Sequence, residues 1–587
     1  NGGTIIEATG VVDGRWIRNY SGAVNVKLFG AIGDGVADDT TAVQAALDSG
    51  YDVFIPDGIF CVAGSLYVSS NQRVFGTGTI KGINPTTPNT VLVRIENKIN
   101  VKWEVNIDTN QTDTTVTADN KVRYSIFISN SRYVYVADIS IINSRVGYPI
   151  YVTGTSSNGI DPDTTGSKHI FFDNVTVDGL ETDQADGGDV NQLIFKSDIY
   201  TPDDGGVYFG SSNAVKLSDY TIDETKTYPA TTEYITVSNC TFINCDRVSP
   251  FNIKNSNFVD NTLIRFGYRG YNCSPTCENV HINGGSIDGA YAASVNFGYA
   301  SKNCTASDIH VNPIKYATAE PTYGEGSTFR VLYGCEDCHI TNITGMGGHK
   351  RQAWIIGSKR VVFSGITLKQ HIDGGSDNSL VISAGVNAHN VVYETEDIQV
   401  TDCKFESEIG IVLNGDFTST ASYANNAIVV KNCDFNAKTT LVSCLSTGQA
   451  DITNAMSVFY SVFRGVYKEF VGFNETFLAS NIGNVWGKDG TATFNEVKLQ
   501  LSVLPDDVLI GHRFTVVNGD TNIPSGASNQ GVLETIKTDD STGYRKFISQ
   551  TYTEIAGSGV HPARFWKRHG SSSSNAWTGW YKYEHTP

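Results

Sequence analysis

A six-residue pattern recurs along most of this chain and constrains its fold more than any other feature. An apolar residue is followed by two polar or turn residues, a small or apolar residue, a polar residue and a second apolar residue. Clear copies include Val-Ala-Asp-Ile-Ser-Ile at 136–141 and Phe-Asp-Asn-Val-Thr-Val at 172–177. Copies start at residues 75, 136, 172, 217, 237, 282, 306, 340, 363, 400 and 430. The irregular intervals predict a fixed scaffold of strands that carries loops of variable length.

Each copy reads as two short strands that meet at a polar corner, which is often Asn or Asp. One such unit cannot bury its apolar face alone, but stacked units can. Strands that return in the same direction form a parallel β-helix with coils about 4.8 Å apart, and the corner residues stack into a ladder. The residues Ile253–Phe258 also fit the pattern, but the sequence does not decide whether they form a coil. The alternative, an antiparallel β-sandwich or propeller, favours two-residue hairpins and more even spacing.

One amphipathic helix is predicted before the first strands, within residues 38–50. Its apolar positions follow the spacing i, i+3, i+4 and are Val43, Ala46 and Leu47. Thr41 and Gln44 have the spacing of a capping box, and Gly50 can end the helix. A solenoid needs covered ends, so we expect this helix to cap the first coil.

The charge and hydropathy of the chain exclude two classes of partner. The formal net charge is −18, the opposite of what a nucleic-acid-binding protein normally carries. The sequence contains no run of 18 apolar residues, so we expect no membrane insertion. No signal peptide is apparent, and because the chain begins with Asn1 rather than Met we expect an N-terminal attachment region to be missing.

The eleven cysteines form no regular disulfide framework. Three of them occupy the same position in the repeat, as small apolar residues of a core would: Cys240, Cys403 and Cys433. A zinc site is the alternative for the pairs Cys273/Cys277 and Cys335/Cys338, but no pair of histidines completes a ligand set. We therefore expect neither a metal nor another cofactor.

The segment before the repeats resembles a known family. Val-Asn-Val-Lys-Leu-Phe-Gly-Ala-Ile-Gly-Asp-Gly at 24–35, followed by Asp-Asp-Thr at 38–40 and the helix, is similar to the opening of the pectate-lyase-like β-helix domain. Phage tailspikes and bacterial polysaccharide-degrading enzymes share this opening. The resemblance implies an all-β, right-handed parallel β-helix that acts on polysaccharide. Asp34, Asp38 and Asp39 are interpreted as turn and helix-entry acceptors rather than catalytic acids.

The segment Gly-Arg-Trp-Ile-Arg-Asn-Tyr at 14–20 resembles the neck that joins a tailspike to its virion-anchoring head. The resemblance covers about residues 10–485 and implies a homotrimer, attached to a phage tail or baseplate and located in the virion. We predict a neck over 1–23, a catalytic β-helix over 24–486, and a C-terminal β-sandwich or knob over 487–587. The last region carries aromatic residues that suit trimerisation or carbohydrate binding.

A packed β-helix has no interior space for a substrate, so reactive groups must lie on its outer wall. Acidic, basic and aromatic residues concentrate after the repeats between about 181 and 373. Glycoside hydrolysis needs two carboxyl groups about 5–5.5 Å or roughly 6.5–9.5 Å apart. Counting repeat copies, we predict Glu224, Asp246 and Glu325 as catalytic candidates, with Glu224 and Asp246 one coil apart and Asp246 and Glu325 two coils apart.

The remaining candidates are predicted to bind substrate: Asp186, Arg247, Arg269, Tyr323, His349, Lys350, Arg351 and Trp354. Arginine, including Arg330, suits acidic sugars because its guanidinium group binds carboxylates in bidentate fashion. His349, Lys350 and Arg351 also suit a lyase, which needs a base together with a cation beside the uronate carboxylate.

Three functions remain open on this sequence. The first is depolymerisation of a bacterial capsule, exopolysaccharide or O-antigen, by hydrolysis or by a lyase reaction. The second is a receptor-binding spike without catalytic activity, because the fold does not decide the function. The third, a free secreted pectin-type enzyme, is disfavoured by the neck-like segment and the additional C-terminal region.

Overall fold

The computed structural model describes residues 3–12, 14–18, 21–83, 90–110, 122–144, 148–154, 166–179, 192–196, 232–245, 247–266, 269–290, 292–313, 326–370, 378–386, 392–393, 395–415, 428–444, 456–459, 461–464, 485–487, 511–518, 530–538, 547–554, 564–571, 576–577 and 581–584. The chain divides into two compact units. The first comprises Asn1–Val361, Leu368–Ser376 and Gly385–Tyr393, and the second comprises Val362–Thr367, Asp377–Ala384 and Glu394–Pro587.

The first unit is a parallel β-helix whose coils each contribute strands to three faces. Strands of the first face are Val24–Asn25, Val53–Ile55, Thr232–Ser238, Ile253–Val259, Glu278–Asn283, Thr305–Ser307 and His339–Thr341. Strands of the second face are Asp34–Asp38, Ile59–Val62, Thr241–Ile243, Thr262–Phe266, Ser286–Gly289, His310–Pro313 and Thr344–Met346. Four long strands run across both faces: Gln72–Gly82, Ile99–Asp108, Arg132–Ile142 and Lys168–Asp178.

The third face completes each coil and was not part of the repeat found in the sequence. Its strands are Leu66–Tyr67, Thr90–Glu96, Val122–Ser129, Tyr148–Thr153, Gln192–Lys196, Arg247–Phe251, Arg269–Cys273, Ala293–Gly298, Ser327–Leu332 and Arg351–Ile356. Each strand pairs in parallel with the equivalent strands of the coils before and after it. The prediction of a parallel β-helix is therefore confirmed.

The core of the coils is filled by the apolar positions of the repeat. Because successive side chains of a strand point to opposite faces, every second residue enters the interior. Among the large side chains there, Trp103, Phe172, Phe242 and Phe258 have no exposed surface. All ten cysteines whose side chains are described are buried and unpaired by disulfides, which agrees with their interpretation as core residues. Burial raises the pKa of Cys240 to about 12.

The polar corner of the repeat adopts a left-handed backbone conformation. Asp138, Asn174, Asp308 and Asn342 all have φ between 51° and 58°. Asn and Asp tolerate this region better than other residues that carry a side chain. Their side chains also bond from coil to coil, with Asn174 Nδ2 donating to Asp138 Oδ1 at 2.8 Å. The predicted ladder at the corner is thus present.

The structure decides one coil position that the sequence left open. Ile253–Val259 pairs in parallel with Thr232–Ser238 and with Glu278–Asn283, so this segment is a coil. The copy at 217–222 lies outside the described residues. On either side of it in the chain, Lys168–Asp178 and Thr232–Ser238 pair directly with each other.

The predicted helix spans Thr40–Leu47, with Val43, Ala46 and Leu47 buried, and follows a 3-10 helix at Val26–Phe29. The predicted capping box is wrong, because the N-cap is Asp39 and its side chain makes no capping hydrogen bond. Asp39 instead accepts hydrogen bonds from the backbone N–H groups of Ile32 and Gly33, which confirms its role as a turn acceptor. That this helix caps the first coil stays a prediction. An antiparallel pair of strands, Ile5–Glu7 and Arg15–Ile17, precedes the 3-10 helix in the chain.

From residue 359 the strands are Lys359–Ser364, Thr367–Lys369, Asn378–Val386, Val392–Tyr393, Glu396–Thr401, Lys404–Gly415, Ile428–Lys431, Asp434–Cys444, Met456–Phe459, Val462–Arg464 and Val485–Gly487. Within the second unit, successive coils again pair in parallel. An antiparallel sheet follows, formed by Gly511–Asn518, Gln530–Thr538, Phe547–Glu554, Arg564–Ser571, Ala576–Trp577 and Tyr581–Glu584. A sandwich or knob over 487–587, and its role, stay predictions.

None of the helices in the described residues is long and apolar enough to span a membrane.

The corner ladder makes a testable contribution to stability. Asn342 has φ of 54° and donates to Asp308 Oδ1 at 3.3 Å. Asn342→Ala should lower the free energy of unfolding by about 1–2 kcal/mol, because alanine disfavours the left-handed region. Differential scanning calorimetry should show a lower melting temperature. Asn342→Gly loses only the side-chain bond and should melt closer to the original chain. Equal melting temperatures for the two variants would contradict a stabilising role for the left-handed corner.

Candidate functional site

Polar side chains line the outer wall of the third face. In Ala293–Gly298, Val295 and Phe297 point into the core, so Ser294 and Asn296 point away from it. The strands before and after repeat this alternation. Register then aligns Asn272, Asn296, Arg330 and Trp354 in one row across four successive coils. We call these four residues the central row.

The start of the central row is a hydrogen-bonded group of amides. Asn296 Nδ2 donates to Asn272 Oδ1 at 2.9 Å, and Arg269 Nη1 donates to the same oxygen at 3.0 Å. Asn272 is 4% exposed and Asn296 is 2% exposed, although both point away from the core. Two donors fix the orientation of the Asn272 amide. The Arg269 guanidinium is thereby held against the outer wall.

At the end of the central row, the guanidinium groups of Arg330 and of the neighbouring Arg351 lie near the ring of Trp354. The guanidinium carbon of Arg351 lies 4.1 Å from the Trp354 ring centroid, and that of Arg330 lies 5.4 Å from it. Both distances are within the range of cation–π attraction. Arg330 is buried, so its charge sits where water screens it less than at an open surface. This arrangement can attract an anionic group and offer an aromatic ring to a sugar.

His349 lies beside the same group, in the turn that precedes Arg351–Ile356. The backbone N–H groups of Lys350 and Arg351 both donate to the Gly326 carbonyl, at 3.0 and 3.1 Å. A Cβ atom on Gly326 would lie 2.5 Å from the His349 ring, so the ring rests directly on this glycine. His349 is buried, and Lys350 and Arg351 follow it directly in the chain.

The later strands of the third face carry arginine without acidic residues. The described strands from Arg247–Phe251 to Arg351–Ile356 contain no Asp or Glu, whereas Thr90–Glu96, earlier on the same face, ends in Glu96. Burial raises the pKa of the nearby Tyr333, and the positive charge of Arg330 partly offsets that rise. A positive, partly desolvated wall favours carboxylate, sulfate or phosphate groups over neutral ones.

The structure brings several predicted binding residues together. Arg269 and Arg351 share one row of the third face, separated by Ala293 and Ser327. His349, Lys350 and Trp354 lie near the end of the same face. Arg247 is displaced by one position, because Val248 pairs with Tyr271. Five predicted residues lie outside the described residues: Asp186, Glu224, Asp246, Tyr323 and Glu325.

The coil count changes the geometry expected for the carboxylate pairs. Asp246 precedes Arg247–Phe251 and Glu325 precedes Ser327–Leu332, and those strands are three coil steps apart. Three steps are about 14 Å, at roughly 4.8 Å a step, instead of the two steps inferred from the repeat. Glu224 lies outside the described residues, so its spacing of one coil from Asp246 stays a prediction. The additional coil at Ile253–Val259 is the reason for the change from two steps to three.

The repeat pattern missed the outward polar residues of the third face. These residues lie in strands that the six-residue motif does not cover: Asn272, Ser294, Asn296, Thr328 and Gln352. Alternation of polar and apolar residues was visible in part, as in Ser-Val-Asn-Phe at 294–297 and Phe-Arg-Val at 329–331. Reading it required the register between coils.

The contact between Gly326 and His349 gives a prediction. Gly326 has φ of +112°, and an added Cβ would meet the His349 ring. Gly326→Ala should destabilise the chain by about 1–3 kcal/mol through backbone strain and overpacking, measured as a lower melting temperature. Gly64→Ala is the matched control, since nothing lies within 4 Å of a Cβ there, and it should change stability by less than about 0.5 kcal/mol. Equal effects would show that His349 does not rest on Gly326.

Comparison with known proteins supports the β-helix fold and the resemblance to the pectate-lyase-like domain. Residues 23–273 match the family described as "Rhamnogalacturonase A/epimerase, pectate lyase-like". The chain is 25% identical to the pre-neck appendage protein of Bacillus phage B103 over 287 residues, which cover 46% of this chain and 28% of that protein. A shorter match, 44% identical over 66 residues, covers 9% of this chain and 7% of mannuronan C5-epimerase AlgE2 from Azotobacter vinelandii. The chain thus spans only a small part of the length of these relatives.

A solved structure agrees with these sequence matches. The pre-mature gene product 12 of bacteriophage phi29 superposes with a TM-score of 0.51 and 16% identity, covering 77% of this chain and 56% of that one. At this identity the likeness establishes the fold alone. The phage relatives agree with the expected location in the tail of a virion. Residues 23–273 thus form part of a pectate-lyase-like parallel β-helix, and the chain is related in sequence to a phage pre-neck appendage protein.

Proposed function

We propose that this protein is a tailspike-like phage component that binds and depolymerises a bacterial surface polysaccharide on its third face. The observation that carries the proposal is the group formed by the buried Arg330 and His349 and the half-buried Arg351 and Trp354. A partly desolvated arginine beside an aromatic ring on the outer wall can contribute binding energy to an anionic ligand. A saccharide with acidic groups would use all of these side chains.

Hydrolysis with paired carboxyl groups is the first candidate reaction, with Glu224, Asp246 and Glu325 as candidates. A pair would combine Glu224 with one of the other two acids, because the strands that follow Asp246 and Glu325 are three coil steps apart. The chain places Asp246 directly before Arg247 and Glu325 two residues before Ser327. Both strands belong to the third face, so these acids adjoin the start of the face on which the central row lies. A neighbouring carboxylate can raise the pKa of one acid enough for it to act as general acid.

A lyase reaction is the second candidate, and the position of His349 favours it. His349 is buried within the turn that carries Lys350 and leads into Arg351. A lyase removes the proton beside a uronate carboxylate, so it needs a base and a cation in that arrangement. The match to mannuronan C5-epimerase AlgE2 is compatible with chemistry at the same carbon, but it covers only 9% of this chain.

The assembly that we propose is a homotrimer fixed to the phage tail through an N-terminal region that precedes the neck. The relation to the B103 pre-neck appendage protein supports attachment to a virion. A receptor-binding spike without catalysis would use the same face for recognition only. The substrate class would be capsular polysaccharide, exopolysaccharide or O-antigen.

Incubation with purified capsular polysaccharides from a panel of bacterial strains tests this proposal. Size-exclusion chromatography should show shortened chains for at least one polymer. Shortening without new ultraviolet absorbance indicates hydrolysis, and Glu224→Gln, Asp246→Asn or Glu325→Gln should then lower the rate by at least about 100-fold. Shortening with new absorbance from unsaturated ends assigns the lyase reaction, and His349→Ala should then abolish it.

A control separates catalysis from binding and folding. Glu96→Gln changes an acid far along the chain from the candidate residues, and it should leave the rate unchanged. Binding of a polymer without any shortening would contradict the depolymerase and leave a receptor-binding spike. Neither binding nor shortening of any polymer would contradict the proposal as a whole.

A further inference from the structure

A second group of side chains, on the first face, interrupts a column of asparagines at the corners of successive coils. One position at the start of each first-face strand is left-handed in successive coils. In the register of the sheet this corner column reads Asn71, Asn100, Tyr133, His169, Tyr234, Asn255 and Asn279. All seven residues have φ between 52° and 60°.

Asparagine is the residue that this column favours on physical grounds. It tolerates the left-handed region, and its amide bonds to the next coil, as Asn100 Nδ2 does to Asn71 Oδ1 at 2.9 Å. After the three aromatic residues of the column the same bond returns, with Asn279 Nδ2 donating to Asn255 Oδ1 at 3.0 Å. Tyrosine disfavours this backbone more strongly than asparagine does, and none of the three aromatic residues carries the amide that continues the asparagine ladder. Rings at these positions are therefore a reason to look for function.

The three aromatic rings form a continuous exposed stack. Their centroids are 4.9 Å apart for Tyr133 and His169 and 4.8 Å apart for His169 and Tyr234, with interplanar angles of 3° and 4°. Parallel rings in contact approach to about 3.5–4 Å, so a centroid distance of this size means that the rings are offset. Each ring therefore leaves a strip of its face uncovered, and Tyr133 is 45% exposed.

A second stack widens the surface. Tyr135 and Phe171 lie two positions further along the same strands, with centroids 4.6 Å apart and an interplanar angle of 8°. Tyr135 is also exposed. The two stacks together form an aromatic ladder with rungs that repeat at the coil spacing. We use this name for Tyr133, His169, Tyr234, Tyr135 and Phe171.

The charges beside the ladder are paired with one another. Lys168 Nζ lies 2.6 Å from Glu233 Oε1, and Lys254 Nζ lies 3.8 Å from Glu233 Oε2. This border differs from the third-face strands from Arg247–Phe251 to Arg351–Ile356, which carry cations and no acids. The ladder therefore selects a ligand by stacking and by hydrogen bonds from phenol and imidazole edges rather than by charge.

We propose that the aromatic ladder is a second, non-catalytic binding site for polysaccharide, occupied by a run of uncharged sugar units that lies along the coil axis. The repeat of rungs at the coil spacing suits a ligand that is itself a repeating polymer. Sugar CH groups would contact the uncovered strips of the rings, and sugar hydroxyls would bond to Tyr133, His169 and Tyr234. This inference rests on the proposed function, since it takes the same polymer as ligand.

The structure supplies a variant that removes the rings while keeping the fold. Tyr133→Asn, His169→Asn and Tyr234→Asn together extend the asparagine column already present in the neighbouring coils. The triple variant should melt at the same temperature as the original chain or higher. Tyr51→Asn is the control, because Tyr51 lies outside the ladder and is 44% exposed.

Affinity electrophoresis in gels that contain the purified capsular polysaccharides of the panel measures the binding. We expect the dissociation constant of the triple variant to be at least about tenfold higher than that of the original chain. The dissociation constant of Tyr51→Asn should equal that of the original chain. The initial rate on short oligosaccharides should not change, because they do not reach both faces. Retention equal to that of the original chain, or a change of oligomeric state in light scattering, would overturn the proposal.

The outcomes separate this proposal from the proposed function. If polymers are shortened but the triple variant binds normally, the ladder is not a binding site and the depolymerase stands. If polymers are retained through the ladder but never shortened, the depolymerase fails and the second site stands. If the original chain neither retains nor shortens any polymer, both fail.

Discussion

The left-handed corner is the constraint on which the rest of this structure depends. A strand that turns through one residue of positive φ can leave one face of the coil and enter the next without a loop, so its backbone groups keep their partners in the coils before and after. Asn and Asp allow this backbone and bond to their equivalents in neighbouring coils, as Asn174 does to Asp138. Once the corner is fixed, alternation along each strand assigns every side chain to the core or to the outer wall.

Function in such a molecule must lie outside the core, and the three faces are not equivalent. The third face gathers Arg269, Arg330, Arg351 and Trp354 into register, and its strands follow the chain segments that hold Asp246 and Glu325. The first face carries exposed aromatic rings where the corner column would otherwise be asparagine. A charged site and an uncharged one on separate faces suit a long polymer better than a small molecule.

Much of the fold could be predicted from the sequence, because the six-residue repeat encodes the bend between two strands directly. The count of coils could not, since Ile253–Val259 is a coil spaced unusually closely after the one before it. The site was predicted in part. Arginine, histidine and tryptophan were found by their concentration in the middle coils, but the central row depends on register that no local pattern contains, and Asn272 and Asn296 were missed for that reason.

The most direct test of the account is a cryo-electron-microscopy map of the full chain with fragments of a capsular polysaccharide that it retains. The account predicts sugar density on the third face, against Trp354 and within reach of Arg330 and Arg351. Density confined to other surfaces, with the third face empty at saturating fragment concentration, would contradict the claim that this face binds the substrate.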